Sequence, residues 1–290
     1  MYRLMNPFRQ ISRLIEVLKG QDPLLRLTSR LLWASRLCLL IKFQVDGIKY
    51  QFSPSSMSAE MWVNPHYLRK ETELSLRISN ICNQKTFTVV DVGANIGVFS
   101  LSIAKFFPDA EIHAIEPHPK VSRYLKKNIN LNQSRIYTHT CALGSKTSKV
   151  KISNKHADDM NEIILDTSKP GTTISMQTLD SMFEGIDIWI LKIDVEGMEK
   201  EVLVGATSVL KRTNNIIIEV DEENYVRYGT STKEVLFLLE RSGFELIGIN
   251  ETEQGNLSLS YPLKLMGIRG ENVLATRIAK DEIQKLMISA

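Results

Sequence analysis

The sequence has no apolar run near its start approaching the roughly 20 residues that a bilayer-spanning helix needs. The longest candidate there, Leu37–Ile41, is closed off by Arg36 and Lys42. A transmembrane helix is therefore not expected. Arginines recur through the first forty residues with no small-residue cleavage site after an uninterrupted apolar stretch, which argues against a secretory leader. Cysteine is scarce: Cys38, Cys82 and Cys141 are odd in number, far apart and without a C-x-x-C spacing. That pattern speaks against a zinc site or a redox pair and fits reduced thiols in a cytoplasmic protein. No repeat or low-complexity tract is present.

Basic excess is also missing from most of the chain. Residues 1–45 carry eight bases (Arg3, Arg9, Arg13, Lys19, Arg26, Arg30, Arg36, Lys42) against Glu16 and Asp22, a net +6; the whole chain is +3, which leaves −3 for the remainder. A nucleic-acid surface needs a basic face, so no nucleic-acid partner is expected for the main domain. Any attraction to anions sits at the start of the chain.

What is present is an ordinary globular composition, 43% hydrophobic over 290 residues, enough for one domain with an appendage. Leu4, Phe8, Ile11, Ile15 and Leu18 recur at helical spacing, as do Leu24, Leu27, Leu31, Ala34, Cys38 and Ile41, with Gly20–Pro23 between the two runs. Residues 1–69 read as a helical extension and connector, with a short strand signal at Ile48–Phe52. Three roles are open for the extension: a cap on the main domain, a dimer face that would make the protein a homo-oligomer, or an element lying on an anionic membrane surface. A helix is expected over Tyr67–Ile81.

From Thr86 the pattern alternates between strands and helices. Strands are expected at Thr86–Asp91, Glu111–Glu116, Ile136–Ala142, Ile188–Asp194 and Asn215–Val220. The helices between and after them are expected at Val98–Phe107, Pro119–Asn130, Met198–Leu210 and Thr232–Ser242. This is the grammar of a parallel sheet covered by helices, an α/β Rossmann-like architecture. A less regular stretch holds Lys149–Ser153 and Thr173–Gln177. Phe244–Ile249 and Val273–Arg277 are candidates for an antiparallel edge hairpin.

The first of these strands runs into Asp91-Val92-Gly93-Ala94-Asn95-Ile96-Gly97, whose glycines permit a tight turn and close approach of a ligand to the backbone. Twenty-five positions after Asp91, the second strand ends at Glu116, a carboxylate able to accept hydrogen bonds from both ribose hydroxyls of a nucleoside. Asp91 would repel a pyrophosphate but suits a sulfonium with an ammonium group, so the turn favours S-adenosylmethionine over a nicotinamide dinucleotide. Plain strand-to-helix packing is the alternative explanation of the turn.

The fourth main strand supplies Lys192, Asp194 and Glu196 where a parallel sheet presents its ligand-binding end. Clustered carboxylates are costly there unless a cation or a proton compensates, and such clusters are enriched at functional sites. Asp194 is the candidate general base, with Lys192 and Glu196 orienting it or the acceptor; a structural Lys192–Asp194 ion pair is the competing explanation. Glu199 fits a plain acid in the first turn of a helix. Asp194, Glu219 and Asp221, at the ends of neighbouring strands, offer oxygen ligands for a metal-assisted variant, although no metal site is assigned. His113, His118 and His139 are further candidate bases, but a histidine in or beside a strand is more often structural.

At this point the sequence resembles the FkbM family of S-adenosylmethionine-dependent methyltransferases. The resemblance spans about residues 70–278 and rests on several segments in order. These are Val90–Gly97, Glu116-Pro117, Asn128 with Asn132, Ala142-Leu143-Gly144, Thr178-Leu179-Asp180, Leu191–Glu199, Leu203 with Gly205, and the strand ending at Glu219. It implies a class I fold with a mostly parallel seven-stranded sheet over residues 70–290. It also implies that Asp91, Gly93 and Gly97, with Asn95 in the same turn, line the methionine end of the cofactor, that Glu116 holds the ribose and that Ala142 and Leu143 border the adenine. The implied reaction is O-methylation of a sugar, glycolipid or secondary metabolite, hence a small-molecule or glycan acceptor. An oxidoreductase and a catalytically silent nucleoside-binding module are the alternatives.

Overall fold

The structure, a computed structural model, describes residues 43–51, 69–154, 161–166, 168–252, 257–265, 267 and 270–288. The two helical patterns expected before residue 42 lie outside these residues. No helix among the described residues is long and apolar enough to cross a membrane.

A hairpin of β1 (Phe43–Val45) and β2 (Ile48–Tyr50) comes first, then α1 (Arg69–Ile81). The alternating region follows as β3 (Thr88–Val92), α2 (Val98–Phe106), β4 (Glu111–Ile115), α3 (Pro119–Asn132) and β5 (Tyr137–His139). Four short strands come next, β6 (Ala142–Leu143), β7 (Ser148–Ile152), β8 (Ile163–Ile164) and β9 (Thr172–Gln177). The chain continues through α4 (Leu179–Met182), β10 (Ile188–Ile193), α5 (Glu199–Val204), β11 (Thr213–Val220), α6 (Glu222–Arg227) and α7 (Thr232–Arg241). It closes with β12 (Glu245–Glu251), β13 (Leu257–Ser260), β14 (Glu271–Thr276) and α8 (Lys280–Ile288).

Among the described residues the main sheet has the order β13-β12-β14-β11-β10-β3-β4-β5. The run β5-β4-β3-β10-β11 is parallel throughout. The expected seven strands are all there, and the short β13 adds an eighth at one edge. β12 and β14 pair antiparallel as expected, but not as a hairpin: β13 separates them in sequence and β14 inserts between β11 and β12. The chain builds outward from β3 through β4 to β5, then returns to lay β10 and β11 on the other side of β3. That reversal makes the tips of β3 and β10 the switch point where open α/β sheets bind ligands.

All six residues of β10 are buried, as a central parallel strand covered on both faces requires. Alternate residues face two helical layers. Val90, Leu191 and Ile193 pack with Leu179, Val202, Leu203, Val235 and Leu239 of α4, α5 and α7. Val89, Ile190 and Ile217 pack with Leu74 and Ile78 of α1, Phe99 and Ile103 of α2, and Ile283 and Leu286 of α8. The indole N–H of Trp189 donates to Ser79 Oγ at 3.0 Å and ties α1 to β10.

Two expected elements break. The strand Ile136–Ala142 is divided: β5 stays in the main sheet, whereas β6 pairs with β9 in a second sheet, β6-β9-β7-β8. The helix Met198–Leu210 ends at Gly205, where a Cβ would lie 2.1 Å from the Gly144 carbonyl oxygen, and a 3-10 turn covers Val209–Arg212. The asparagines of the sequence pattern are structural. Asn128 donates to the Ile96 carbonyl at 2.9 Å and accepts from the Gln51 N–H at 2.6 Å, while Asn132 accepts from the Lys49 N–H and donates to its carbonyl. Ile48 and Tyr50 are thereby held against Val121, Leu125 and Ile129 of α3.

Candidate functional site

The turn after β3 carries three residues at positive φ, Gly93 at 82°, Asn95 at 51° and Gly97 at 92°. Only glycine fits at the first of these for a second reason. A Cβ on Gly93 would lie 1.8 Å from the Asp194 carbonyl oxygen, and the Asp194 N–H donates to the Val92 carbonyl at 3.0 Å. The tips of β3 and β10 are therefore in backbone contact. Gly97 begins α2 without a side-chain cap and lies under Leu125.

Glu116, at the tip of β4, is fixed by backbone donors. Its Oε2 accepts from the Asn95 N–H at 3.0 Å and its Oε1 from the His118 N–H at 2.8 Å. Burial pushes its carboxyl up to about 7, against the pull of these two bonds. Each carboxylate oxygen retains a second lone pair for a ligand hydroxyl.

Alternation along the strands turns Asp91, Lys192 and Glu219 to the α1 side of the sheet, the side faced by Val89, Ile190 and Ile217. Asp91 and Lys192 are register partners on β3 and β10. Asp91 is fully buried, and its Oδ2 accepts from the Ser100 hydroxyl at 2.5 Å. Lys192 is 4% exposed and its Nζ donates to Asp194 Oδ2 at 2.9 Å. Burial would strip its proton, but the charges of Asp194, Asp91 and Glu71 outweigh burial and hold the ammonium above its ordinary range. Burial also raises the carboxyls of Asp91 and Glu71, the latter on α1 and 3% exposed.

Glu219 stands beside Asp194, since Ile193 and Ile218 are register partners and the two acids come next in each chain. The Asp194 charge, then burial, pushes the Glu219 carboxyl up to about 9. Glu196 has φ 57°, an unfavourable conformation for a side-chain-bearing residue, and accepts from Asn224 Nδ2 at 3.2 Å. Glu199 is more than a helix-start acid. It is buried, accepts from the Val195 N–H at 2.9 Å, and burial raises its carboxyl to about 7.

Asp91, Gly93, Asn95, Glu116, Ala142, Leu143, Lys192, Asp194 and Glu196 all line one cavity, whereas Gly97 is not among its lining residues. Glu219, Ile152, Asn161 and Ile163 line it too, so the second sheet forms one wall. The sequence offered a signal for Glu71, an acid at helical spacing on the same stripe as Leu74 and Ile78. The walls from the second sheet carry no such mark.

The metal-assisted and histidine alternatives find little support in the geometry. Asp221 does not line the cavity; its Oδ1 accepts from the N–H groups of Glu223 and Asn224 at the start of α6. Among the described residues no three His, Cys, Asp or Glu side chains are grouped to hold a metal ion. His118 caps α3 through Nδ1 and bonds Asn154 through Nε2. His113 and His139 bond one another at 3.1 Å between β4 and β5, outside the cavity lining.

The family described as the methyltransferase FkbM domain matches residues 91–246. The methyltransferase sdnD of Sordaria araneosa is 26% identical over 198 residues, 54% of this chain and 73% of the relative. The hexuronic acid methyltransferase AglP of Haloferax volcanii is 28% identical over 214 residues, 72% of this chain and 84% of the relative. Among solved structures, the methyltransferase FkbM of Methylobacillus flagellatus aligns at 18% identity and a TM-score of 0.45, over 67% of this chain and 44% of that one. A match that runs from the buried Asp91 of the glycine turn to β12, and so contains the whole β3–β10 switch point, makes this chain a member of the FkbM methyltransferase family.

Proposed function

We propose that the cavity binds S-adenosylmethionine and that the protein methylates an oxygen of a sugar, glycolipid or secondary metabolite. One observation carries the cofactor assignment: among the described residues lining the cavity, the acids Asp91, Glu116, Asp194, Glu196 and Glu219 face a single base, Lys192. Such a site favours a ligand with positive charge and many donors and disfavours a pyrophosphate. Asp91 Oδ1 and Asn95 Oδ1 are buried and have no hydrogen-bond partner among the described residues, so two acceptors await donors. Asp91 and Gly93 would hold the methionine end, Glu116 the ribose hydroxyls, and Ala142 and Leu143 the adenine.

When bound, the group supplies a methyl already activated by a sulfonium, so the chain's task is to align the acceptor oxygen and remove its proton. Lys192 engages Asp194 Oδ2 and leaves Oδ1 to accept from the acceptor hydroxyl. Glu196, strained at the mouth of the turn, orients the acceptor. A relative named a hexuronic acid methyltransferase supports a sugar acceptor.

Calorimetric titration with S-adenosylmethionine and S-adenosylhomocysteine tests the cofactor, and absence of saturable binding by intact protein rejects it. Labelled methyl donor with fractionated cell extract, followed by mass analysis, identifies the acceptor. We assign the reaction to the cytoplasm, with residues 1–45 as cap, dimer face or membrane-surface element. Liposome co-sedimentation of the full chain beside a chain starting near residue 46 separates these roles, since equal binding by both rejects the membrane contact.

A further inference from the structure

We infer that Glu219, side by side with Asp194 at the tips of β11 and β10, is the group that holds the acceptor's proton: it gives up a proton when the sulfonium donor binds and regains one from the acceptor hydroxyl as the methyl moves. The inference rests on the cofactor assignment above and adds a group to it.

The geometry comes first. Register places Glu219 one strand away from Asp194 on the face of the sheet that lines the cavity. Gly270 leaves room for the Glu219 carboxyl, since a Cβ there would lie 3.0 Å from its Oε1. Lys192, the one cation among the described residues that line the cavity, is spent on Asp194. Among the described residues nothing donates a hydrogen bond to the Glu219 carboxyl; its backbone carbonyl, by contrast, accepts from the Tyr225 hydroxyl at 2.9 Å. Acids face it from Asp194 just after β10, Glu196 in the following turn and Glu199 on α5, and the Lys192 charge opposes them. Like charges at this density cannot all ionise; Lys192 is paired with Asp194, so of these two neighbours Glu219 is the one left to hold a proton, and the Asp194 charge, then burial, pushes its carboxyl up.

A positive charge entering the cavity reverses that preference and expels the proton. In the transfer the acceptor oxygen forms a bond to the methyl carbon, the carbon–sulfur electron pair stays with sulfur, and the acceptor's O–H proton passes by way of Asp194 to Glu219. The charge that had kept Glu219 ionised disappears in the same event. Proton affinity at Glu219 therefore rises just as a proton must be taken up, and the cavity keeps its net charge.

Proton counting tests this without turnover. The full chain is titrated with S-adenosylmethionine, and separately with S-adenosylhomocysteine, in two buffers of different ionisation enthalpy near about pH 7.5. Both ligands carry the ammonium, so the difference isolates the sulfonium. Release on the order of one proton more for the methylated ligand is expected, and Glu219→Gln should bind that ligand with the extra release lost. Equal release for the two ligands, or undiminished extra release from Glu219→Gln, overturns the assignment while leaving the cofactor reading intact. Failure of the wild-type chain to bind either ligand overturns both. The comparison of the two ligands on the wild-type chain needs no variant, so a misfolded Glu219→Gln does not spare the inference.

Discussion

Gly93 touches Asp194 through the backbone: a methyl group on the glycine would fall 1.8 Å from the aspartate's carbonyl oxygen, and the glycine's φ of 82° is unfavourable for any side chain. The loop expected to carry the cofactor's methionine end and the strand tip expected to carry the base are thus one packed unit. Gly93→Ala should cost stability by at least about 2 kcal/mol and abolish cofactor binding. Urea denaturation and calorimetry on the same sample check both effects.

Glu116→Ala should weaken S-adenosylmethionine binding by about tenfold or more, the equivalent of losing charged hydrogen bonds worth roughly 1.5–3 kcal/mol. An affinity within about twofold of wild type would remove Glu116 from the ribose site.

Asp194→Asn preserves size and most packing but removes the proton acceptor next to Lys192. Turnover should fall by roughly 10²–10⁴-fold with cofactor affinity much less affected. Normal turnover with bound cofactor would leave the Lys192–Asp194 bond a structural ion pair.

Glu199 provides a pH test. Its carboxyl is raised by burial from 4.5 to about 7 in the folded protein, so the folded state holds a proton that the unfolded chain has lost. Its contribution to stability is complete below 4.5 and is lost as pH rises through about 7. Glu199→Gln, which cannot ionise, should flatten the fall in stability across that window, measured by denaturation midpoints at a series of pH values. An unchanged slope would mean that Glu199 is ionised in the folded protein.

Asn128 is fully buried and bonds two backbone segments, at Ile96 and Gln51. Asn128→Ala should lower stability by about 1–3 kcal/mol and raise amide exchange at residues 48–51. Unaltered exchange there would show that Ile48 and Tyr50 hold the hairpin unaided.

The parallel sheet was legible in the sequence because a strand buried on both faces must be written as a near-continuous apolar run, as Ile188–Ile193 is. The glycine turn and Glu116 were legible because positive φ and close approach leave few residue choices. Boundaries were harder where a local pattern continues across a change of partner. Tyr137–His139 and Ala142–Leu143 share one strand-like signal, yet hydrogen bonds carry them into different sheets. Helical periodicity likewise runs through Gly205, yet the helix ends there, at a position where the Gly144 carbonyl approaches too closely for any side chain.

By itself the sequence determined the repeating elements, the family and the acids available at the strand tips, since these depend on periodicity and residue type over short spans. Tertiary structure alone decided which acids meet. Glu71 reaches Lys192 from a helix that precedes β3, Glu219 stands beside Asp194 through parallel register, and Asp221, two residues further on, turns away to cap α6. Charge interactions fall off over a few ångströms in space, and a linear sequence does not record which distant strands share an edge.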